Sequence, residues 1–421
     1  MGLEERKIRI DQLAAGMYVC RLDRPWTGTP FPLQGFLIES DDQITALRCY
    51  GREVWIDVEL GDLPDEAKRS GSTPGLVRPR QMPQSKPTDA ATLENALGRI
   101  HYSDSVSVEH ELPQARAAQD NAARLTSRIL DDIRVGQKLS RPDVDAVVEP
   151  IVQSVLRSAD AMFWVNALRR HEGYDYSHAI NCCALAAAFG RHLGLPAQML
   201  IDLGSAGLLF DIGKAQLPAG LLATPRALDA PQLAQARTHV ALSLQVLQAG
   251  DLDRPDVVET IRTHHERYDG SGYPAGLQAT QIPLFGRMAG IIDSFDAMTS
   301  HRPHARALAR HEALQQMYHA RGGLFQDELV EQFIGCLGVY PVGSLVELSG
   351  GEVGVVMAQN PARRLRPRLI LLTDAKKQLR QHFAPLDLMD QSDSASSAEQ
   401  VHIVQPLPPG AYGLDPAELY L

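Results

Sequence analysis

The chain has 421 residues, a hydrophobic fraction of 44% and a formal net charge of −10, a composition typical of a water-soluble, core-forming protein with two or three domains. No apolar run reaches 18 residues and the first residues are charged, so the sequence predicts neither a membrane span nor a secretion signal, with the cytoplasm as the default location. Five scattered cysteines without CxxC spacing argue against a disulfide framework, and an acidic chain without a basic block argues against DNA binding.

Residues 1–62 are predicted to form a small β domain. Short apolar runs, such as residues 35–38 and 54–57, are separated by turn residues and show no helical stripe. Residues 63–90 are rich in Pro, Ser and Lys and lack any hydrophobic period, so we expect a flexible linker there.

Residues 91–170 carry the apolar spacing of long helices. The helical period begins near Thr92 and resumes after Pro113, and Gly136 is expected to end the helix. A second helical pattern covers about residues 143–169. Long amphipathic helices beside a linker either pack on their own domain or join two subunits, so the sequence leaves a homodimer open.

Residues 171–338 are helical by pattern, yet their apolar helices carry isolated ionisable side chains. Such groups are costly to bury unless they are paired or bound to a metal. One histidine on a helix is usually a hydrogen-bonded core or surface residue, so the argument rests on the whole set. The set is His178, Asp211, Lys214, His239, His264, His265 and Asp293. Imidazole and carboxylate ligands suit Fe, Mn, Zn or Ni, so the pattern predicts a site for one or two divalent metal ions. Two such ions can act together on a phosphodiester.

The most specific stretch is residues 264–274, where two adjacent histidines lead into a loop of Gly, Tyr and Pro. It reads His-His-Glu-Arg-Tyr-Asp-Gly-Ser-Gly-Tyr-Pro. This stretch resembles the signature of the HD-GYP domain, a subgroup of the HD phosphohydrolases that cleaves the bacterial messenger cyclic di-GMP. The resemblance covers about residues 173–337 and extends to residues 209–214, 293–300 and 302–303.

The resemblance implies a mainly α fold. An all-helical HD-type phosphohydrolase bundle is expected at residues 171–338, and the β domain at 1–62 is similar to an accessory domain of unassigned role found on some members. Residues 339–421 should form the short β extension that often follows, because they contain strand-like runs and a Gly-rich turn. The tail of this segment, from Asp390, is expected to be loose, with local strand pairing left open for residues 401–404.

The resemblance also implies roles for single residues. It implies metal ligands at His178, Asp211, His239, His264, His265 and Asp293, with Asp211 bridging two ions. Asp211 and Lys214 are the implied catalytic residues, and the Lys214 ammonium would offset charge on the scissile phosphate. Substrate contacts are implied for Lys214, Gly272, Tyr273, Pro274 and Arg302.

The sequence departs from the family pattern at one ligand position. Phe210 stands where the family has the histidine of its HD dyad, and a phenyl ring cannot ligate a metal. Loss of an outer hydrogen-bond partner lowers metal affinity or activity roughly 10 to 100-fold, and loss of a direct ligand should cost at least as much. Tyr174 stands where members with a third metal carry Glu, so we expect at most two ions.

Two functions therefore stay open from the sequence. In the first and preferred one, the chain is a cyclic di-GMP phosphodiesterase, weakened by Phe210, that opens the ring to the linear dinucleotide or on to GMP. In the second, a degenerate module binds cyclic di-GMP or a diguanylate cyclase (GGDEF) partner and signals without cleavage. A phenyl ring that plugged the cavity beside Asp211 would argue against the first.

Overall fold

The structure is a computed structural model, and the chain divides into two compact units, residues 1–85 and 86–421. The predicted linker, the helix near Thr92 and the predicted contact of Arg302 lie outside the described residues. The described residues are 5–14, 16–22, 36–38, 41–50, 53–57, 98–168, 174–218, 220–222, 228–250, 252, 254–300, 306–360, 363–390 and 400–419.

The first unit contains an antiparallel sheet and one helix in its described part. The strands are β1 (Glu5–Arg9), β2 (Tyr18–Leu22), β3 (Phe36–Leu37) and β4 (Glu53–Asp57), in the order β1-β4-β2-β3. Helix α1 (Asp41–Tyr50) was not expected from the sequence. Ile44 and Leu47 lie about one helical turn apart and join a buried cluster with Val54 and Ile56. The prediction of strands alone is therefore wrong here, because two apolar side chains are too few to show a stripe.

The second unit is a helical bundle followed by a sheet. Its helices are α2 (Val108–Arg134), α3 (Arg141–Arg157), α4 (Ala159–Ala167), α5 (Tyr174–His192), α6 (Ala197–Leu209), α7 (Ala230–Arg237), α8 (His239–Ala249), α9 (Pro255–Thr263), α10 (Leu284–Thr299), α11 (Arg310–Ala320) and α12 (Asp327–Leu337). The expected mainly α fold with a small sheet in each unit is confirmed. Among the described residues, no helix has both the length and the apolar character that a membrane crossing requires.

Helices α2 to α4 pack on the bundle of the same chain. Their apolar side chains are buried, and the helices contact α5 and α6. Helix α2 begins before Pro113 because Ser107 caps it by accepting a hydrogen bond from the backbone N–H of His110, and Gly136 (φ +78°) follows its end as predicted. Ser158, in an extended conformation, separates α3 from α4, which the sequence suggested were one helix. The homodimer stays a prediction.

The C-terminal sheet has the order β8-β7-β6-β5-β9, and its neighbouring strands are antiparallel. Its strands are β5 (Leu345–Leu348), β6 (Val353–Ala358), β7 (Arg368–Thr373), β8 (Leu379–Asp387) and β9 (Ile403–Leu407). The pairing left open for residues 401–404 is found at Ile403, because residues 403–407 pair with β5 and Ile403 packs on the core of the sheet. Two polar contacts tie this sheet to the helices. Arg368 donates to the carboxylate of Glu109 on α2, and the backbone N–H of Gln359 donates to Asp160 on α4 (2.7 Å).

Two glycines, one in the last turn of α6 and one just after it, allow close contact with neighbouring backbone. A Cβ atom at Gly207 would lie 2.7 Å from the carbonyl oxygen of Cys182 on α5, and one at Gly213 would lie 2.3 Å from the carbonyl oxygen of His239 on α8. Any larger residue would push these backbones apart. The turn that carries Asp211 is therefore fixed between α5 and α8.

Candidate active site

Asp211 lies at the centre of a buried group of histidines. Its Oδ2 atom is 3.2 Å from His178 Nε2, and its Oδ1 atom is 3.2 Å from His239 Nε2 and 3.9 Å from His264 Nε2. His178 comes from α5, His239 is the first residue of α8, and His264 directly follows α9. Residues far apart in the sequence thus meet at one carboxylate.

Asp293 of α10 lies on the other side of the same group. Its Oδ1 atom is 3.4 Å from His178 Nε2, and its Oδ2 atom is 3.7 Å from His265 Nδ1. His265 Nε2 is in turn 3.1 Å from His239 Nε2. All six side chains that the sequence suggested as metal ligands are therefore brought together, and they form two groups that share Asp211.

Backbone carbonyls orient two of the histidine rings. Nδ1 of His239 lies 2.8 Å from the carbonyl oxygen of Ala236, and Nδ1 of His264 lies 2.8 Å from that of Ile261. Because a carbonyl oxygen can only accept, each Nδ1 must carry the proton and donate. In the neutral rings the Nε2 lone pairs then face the carboxylate of Asp211, as metal-binding histidines require.

Asp296 plays the same part for His178. Nδ1 of His178 lies 2.7 Å from Asp296 Oδ2, so the ring donates there and turns Nε2 towards the two other carboxylates. Asn181 donates to the second oxygen of Asp296 (3.0 Å), and Ser300 lies 3.3 Å from the first. Asp296 lies within the motif at residues 293–300, but the sequence pattern assigned it no role. Its spacing of three residues from Asp293 on one helix face was the available signal.

The centre of the group holds acceptors without donors. Asp211 Oδ1 and His264 Nε2 are buried, and neither has a hydrogen-bond partner within the described ranges of the chain. A buried polar atom without a partner costs about 1–3 kcal/mol, so a cation between acceptors that face one another would be stabilising. Carboxylate oxygens and imidazole nitrogens are ligands for Fe, Mn or Zn. The residues present therefore fit a divalent metal.

The ionisation states also fit a metal. Burial lowers the pKa of His264 to about 4 and lowers the pKa of His265 well below its ordinary value, so both rings are neutral at pH 7. Burial alone would raise the pKa of Asp211, but the neighbouring Lys214 ammonium is the leading opposing cause, and the pKa lies well below its ordinary value. The carboxylate is therefore ionised. Neutral imidazole and ionised carboxylate are the forms that bind metals.

Phe210 is part of the interior of this site. Its ring stacks on His264 at 4.8 Å between ring centres and meets the ring of His178 edge-on at 5.7 Å. The side chain is 1% exposed. A cleft opens beside Asp211 and Lys214, and Phe210 is not among the residues that line it. The phenyl ring therefore takes up space between two histidines without closing that cleft.

The loop after His265 is held by the side chain of Glu266. The Glu266 carboxylate accepts hydrogen bonds from the backbone N–H groups of Ala275 (2.7 Å) and Leu277 (3.0 Å). Gly272 is needed where the loop turns back, because a Cβ atom there would lie 2.3 Å from the backbone nitrogen of Arg267. Glu266 was another residue without a role in the sequence reasoning, since its partners are backbone groups that a motif does not reveal.

Of the residues expected to contact substrate, those in the described ranges lie at the metal-ligand group. Tyr273, between Gly272 and Pro274, stacks on the ring of His265 at 4.6 Å between ring centres, and Lys214 donates to Asp211. Arg302 lies outside the described residues.

Replacing Asp296 by Asn should lower metal affinity by roughly 10 to 100-fold, because an amide is uncharged and its single oxygen cannot accept from both His178 and Asn181. Metal affinity can be measured by competition with a chromophoric chelator, with thermal unfolding as a check on folding. Ser300→Ala is the control, since it removes only the 3.3 Å contact to the same carboxylate and should change affinity much less. An Asp296→Asn protein that holds its metal as tightly as the natural chain would contradict this role.

Two family models match the sequence. The model described as HD domain matches residues 159–329, and the model described as Domain of unknown function (DUF3391) matches residues 5–144. The chain is also 34% identical over 377 residues to the cyclic di-GMP phosphodiesterase PA4108 of Pseudomonas aeruginosa, a match that covers 89% of this chain and 86% of that protein. The chain belongs to the HD-GYP family. The family expected from residues 264–274 is thereby confirmed.

Two other relatives match over a shorter part of the chain. A cyclic di-GMP phosphodiesterase of Thermotoga maritima is 32% identical over 151 residues, which are 36% of this chain and 41% of that protein. The 3′3′-cGAMP-specific phosphodiesterase 1 of Vibrio cholerae is 33% identical over 159 residues, which are 38% of this chain and 37% of that protein. The names of these relatives thus include two cyclic dinucleotide substrates.

Proposed function

We propose that this HD-GYP protein is a metal-dependent phosphodiesterase that hydrolyses cyclic di-GMP in bacterial second-messenger signalling. One observation carries the proposal: imidazole and carboxylate acceptors, two of them without a hydrogen-bond partner among the described residues, converge on Asp211 beside the ammonium group of Lys214. The relative that matches most of the chain is named for the same reaction, which supports cyclic di-GMP as the substrate.

The two groups of acceptors differ in their number of ligands. Asp211, His239, His264 and His265 would hold one divalent ion, whereas His178 and Asp293 would share only Asp211 for another. When bound, such ions make a water nucleophilic at neutral pH and offset negative charge on phosphate oxygens. The difference in ligand number leads us to expect tighter binding in the first group.

Lys214 would act on the phosphate. Its Nζ atom donates to Asp211 Oδ2, and its side chain is 22% exposed, so the ammonium lies between the buried carboxylate and solvent. A compact ammonium in this position can pair with a phosphodiester oxygen and stabilise the charge that develops on it during hydrolysis. Asp211 holds the ammonium in place for that contact.

A second candidate function is binding without cleavage, and Phe210 is the observation that favours it. The phenyl ring stands beside both His178 and His264 and offers no ligand atom. A protein with one ion instead of two could still bind cyclic di-GMP, or dock a diguanylate cyclase through the loop at residues 270–274, and transmit that state to its other domains.

Removing the metal and returning it should decide between hydrolysis of cyclic di-GMP and binding without cleavage. The natural chain is stripped with a chelator, reloaded with Mn²⁺ or Fe²⁺, and its metal content is measured alongside release of the linear dinucleotide from cyclic di-GMP and from 3′3′-cGAMP. We expect hydrolysis only after reloading, and faster hydrolysis of cyclic di-GMP. Binding of cyclic di-GMP with no product under any metal would contradict the enzyme proposal. Faster hydrolysis of 3′3′-cGAMP would make that dinucleotide the proposed substrate in place of cyclic di-GMP.

A further inference from the structure

The cleft beside Asp211 and Lys214 has one wall that comes from outside the HD domain. Leu208, Ile212 and Lys214 line one part of it, and Leu130 and Arg134 of α2 line another. Helix α2 belongs to residues 5–144, which match the domain of unknown function, whereas the HD domain match begins at residue 159. A segment without an assigned role thus borders the proposed substrate site.

Arg134 has the chemistry and the freedom to bind an anion in this cleft. It is the last residue of α2 and its side chain is 48% exposed. Its guanidinium pairs with the carboxylate of Asp131, one helical turn back, at 2.7 Å. An exposed ion pair between residues three apart on a helix is weak, so the guanidinium can exchange this carboxylate for a phosphate, which it can bind through two N–H groups.

The cleft is small, so it could take one phosphate of a larger ligand but could not enclose a nucleotide. Two cationic side chains, Arg134 and Lys214, are combined with the aliphatic side chains of Leu130, Leu208 and Ile212. Phosphate oxygens pair with cations, whereas Leu130, Leu208 and Ile212 are buried and form the floor of the cleft. Cyclic di-GMP carries two phosphates, and Lys214 would contact only the one beside Asp211.

We propose that Arg134 binds a phosphate of the cyclic dinucleotide, so that helix α2 completes the substrate site of the HD-GYP domain. This inference rests on the proposed function, since it takes cyclic di-GMP as the ligand. Arg134 lines the cleft beside His178 and Asp211 but is not one of the proposed metal ligands, so it would act in binding, not in bond cleavage. Its loss should therefore raise KM and leave kcat nearly unchanged.

The test compares Arg134→Ala, Arg134→Lys and the control Arg124→Ala. Arg124 lies on the same helix, is also exposed, and donates to Asn121 three residues back (2.8 Å), but it does not line the cleft. Binding of cyclic di-GMP to the metal-stripped full chain is measured by calorimetry, and KM and kcat are measured after reloading with Mn²⁺. We expect Arg134→Ala to weaken binding about 5 to 10-fold, Arg134→Lys to recover part of the loss, and Arg124→Ala to match the natural chain.

Equal affinity in Arg134→Ala and Arg124→Ala would overturn the inference, as would a loss confined to kcat. If the natural chain neither bound cyclic di-GMP without metal nor hydrolysed it after reloading, the proposed substrate would fail, and titration of the same variants with 5′-GMP would decide the role of Arg134. Weaker binding of 5′-GMP to Arg134→Ala than to Arg124→Ala would then support it. A natural chain that bound neither nucleotide and hydrolysed no cyclic di-GMP would overturn both proposals.

Discussion

Replacing Asp211 by Ala should remove bound metal and lower hydrolysis of cyclic di-GMP by at least about 100-fold. The carboxylate belongs to both groups of acceptors, so its loss takes one ligand from each of them. It also removes the partner that holds Lys214. Metal content by mass spectrometry and product release by chromatography measure the two effects separately.

Asp202→Ala is the matched control for this change. Asp202 lies on α6, the helix that leads to Asp211, and its side chain is 16% exposed against 11% for Asp211. It pairs with Arg254 at 3.2 Å, so its loss also breaks an ion pair. We expect Asp202→Ala to lower the unfolding temperature and to leave metal content unchanged. A full metal load in Asp211→Ala would show that the ion binds elsewhere.

Replacing Phe210 by His should add a second metal ion and raise the rate of hydrolysis by roughly 10 to 100-fold. The phenyl ring already lies against the rings of His178 and His264, so an imidazole in its place would bring a nitrogen to the group that has fewer ligands. An imidazole is smaller than a phenyl ring, so the site can accept it without overpacking. Metal content per chain and the rate with Mn²⁺ are the measurements.

Phe210→Leu separates the added nitrogen from the change in shape. It removes the ring and offers no ligand, so we expect one ion per chain and a rate no higher than that of the natural protein. A buried imidazole without a metal is unfavourable, so Phe210→His should also unfold at a lower temperature after chelation and regain stability when Mn²⁺ is returned. Unchanged metal content in Phe210→His would refute the idea that this position limits the second ion.

The helical bundle could be predicted from the sequence because its apolar residues recur at the three- and four-residue steps of a helix. The errors have local causes. Helix α1 has too few apolar side chains for a visible stripe, and Ser158 interrupts a sequence that continues to look helical on both sides. Strand β8 contains Pro385, which argues against a strand except at the edge of a sheet, and β8 is an edge strand.

The candidate metal ligands could be predicted from the sequence, but the residues that hold those ligands in position could not. The six ligands belong to motifs that can be read along the chain. Asp296 acts on His178, which is 118 residues away, and Glu266 acts on backbone N–H groups, so neither role has a local signature. The position of Arg134 at the cleft depends on how α2 packs on the bundle, which no periodicity specifies.

Helix α2 spans 27 residues, a length of about 40 Å at 1.5 Å per residue. Its first turn is fastened to the C-terminal sheet through Glu109 and Arg368, and its last residue is Arg134. Its buried side chains run from Val108 to Ile133 and pack against α3, α4 and α5, so the helix is held along its whole length. A displacement at the C-terminal sheet would therefore reach Arg134 only by shifting these packed helices together.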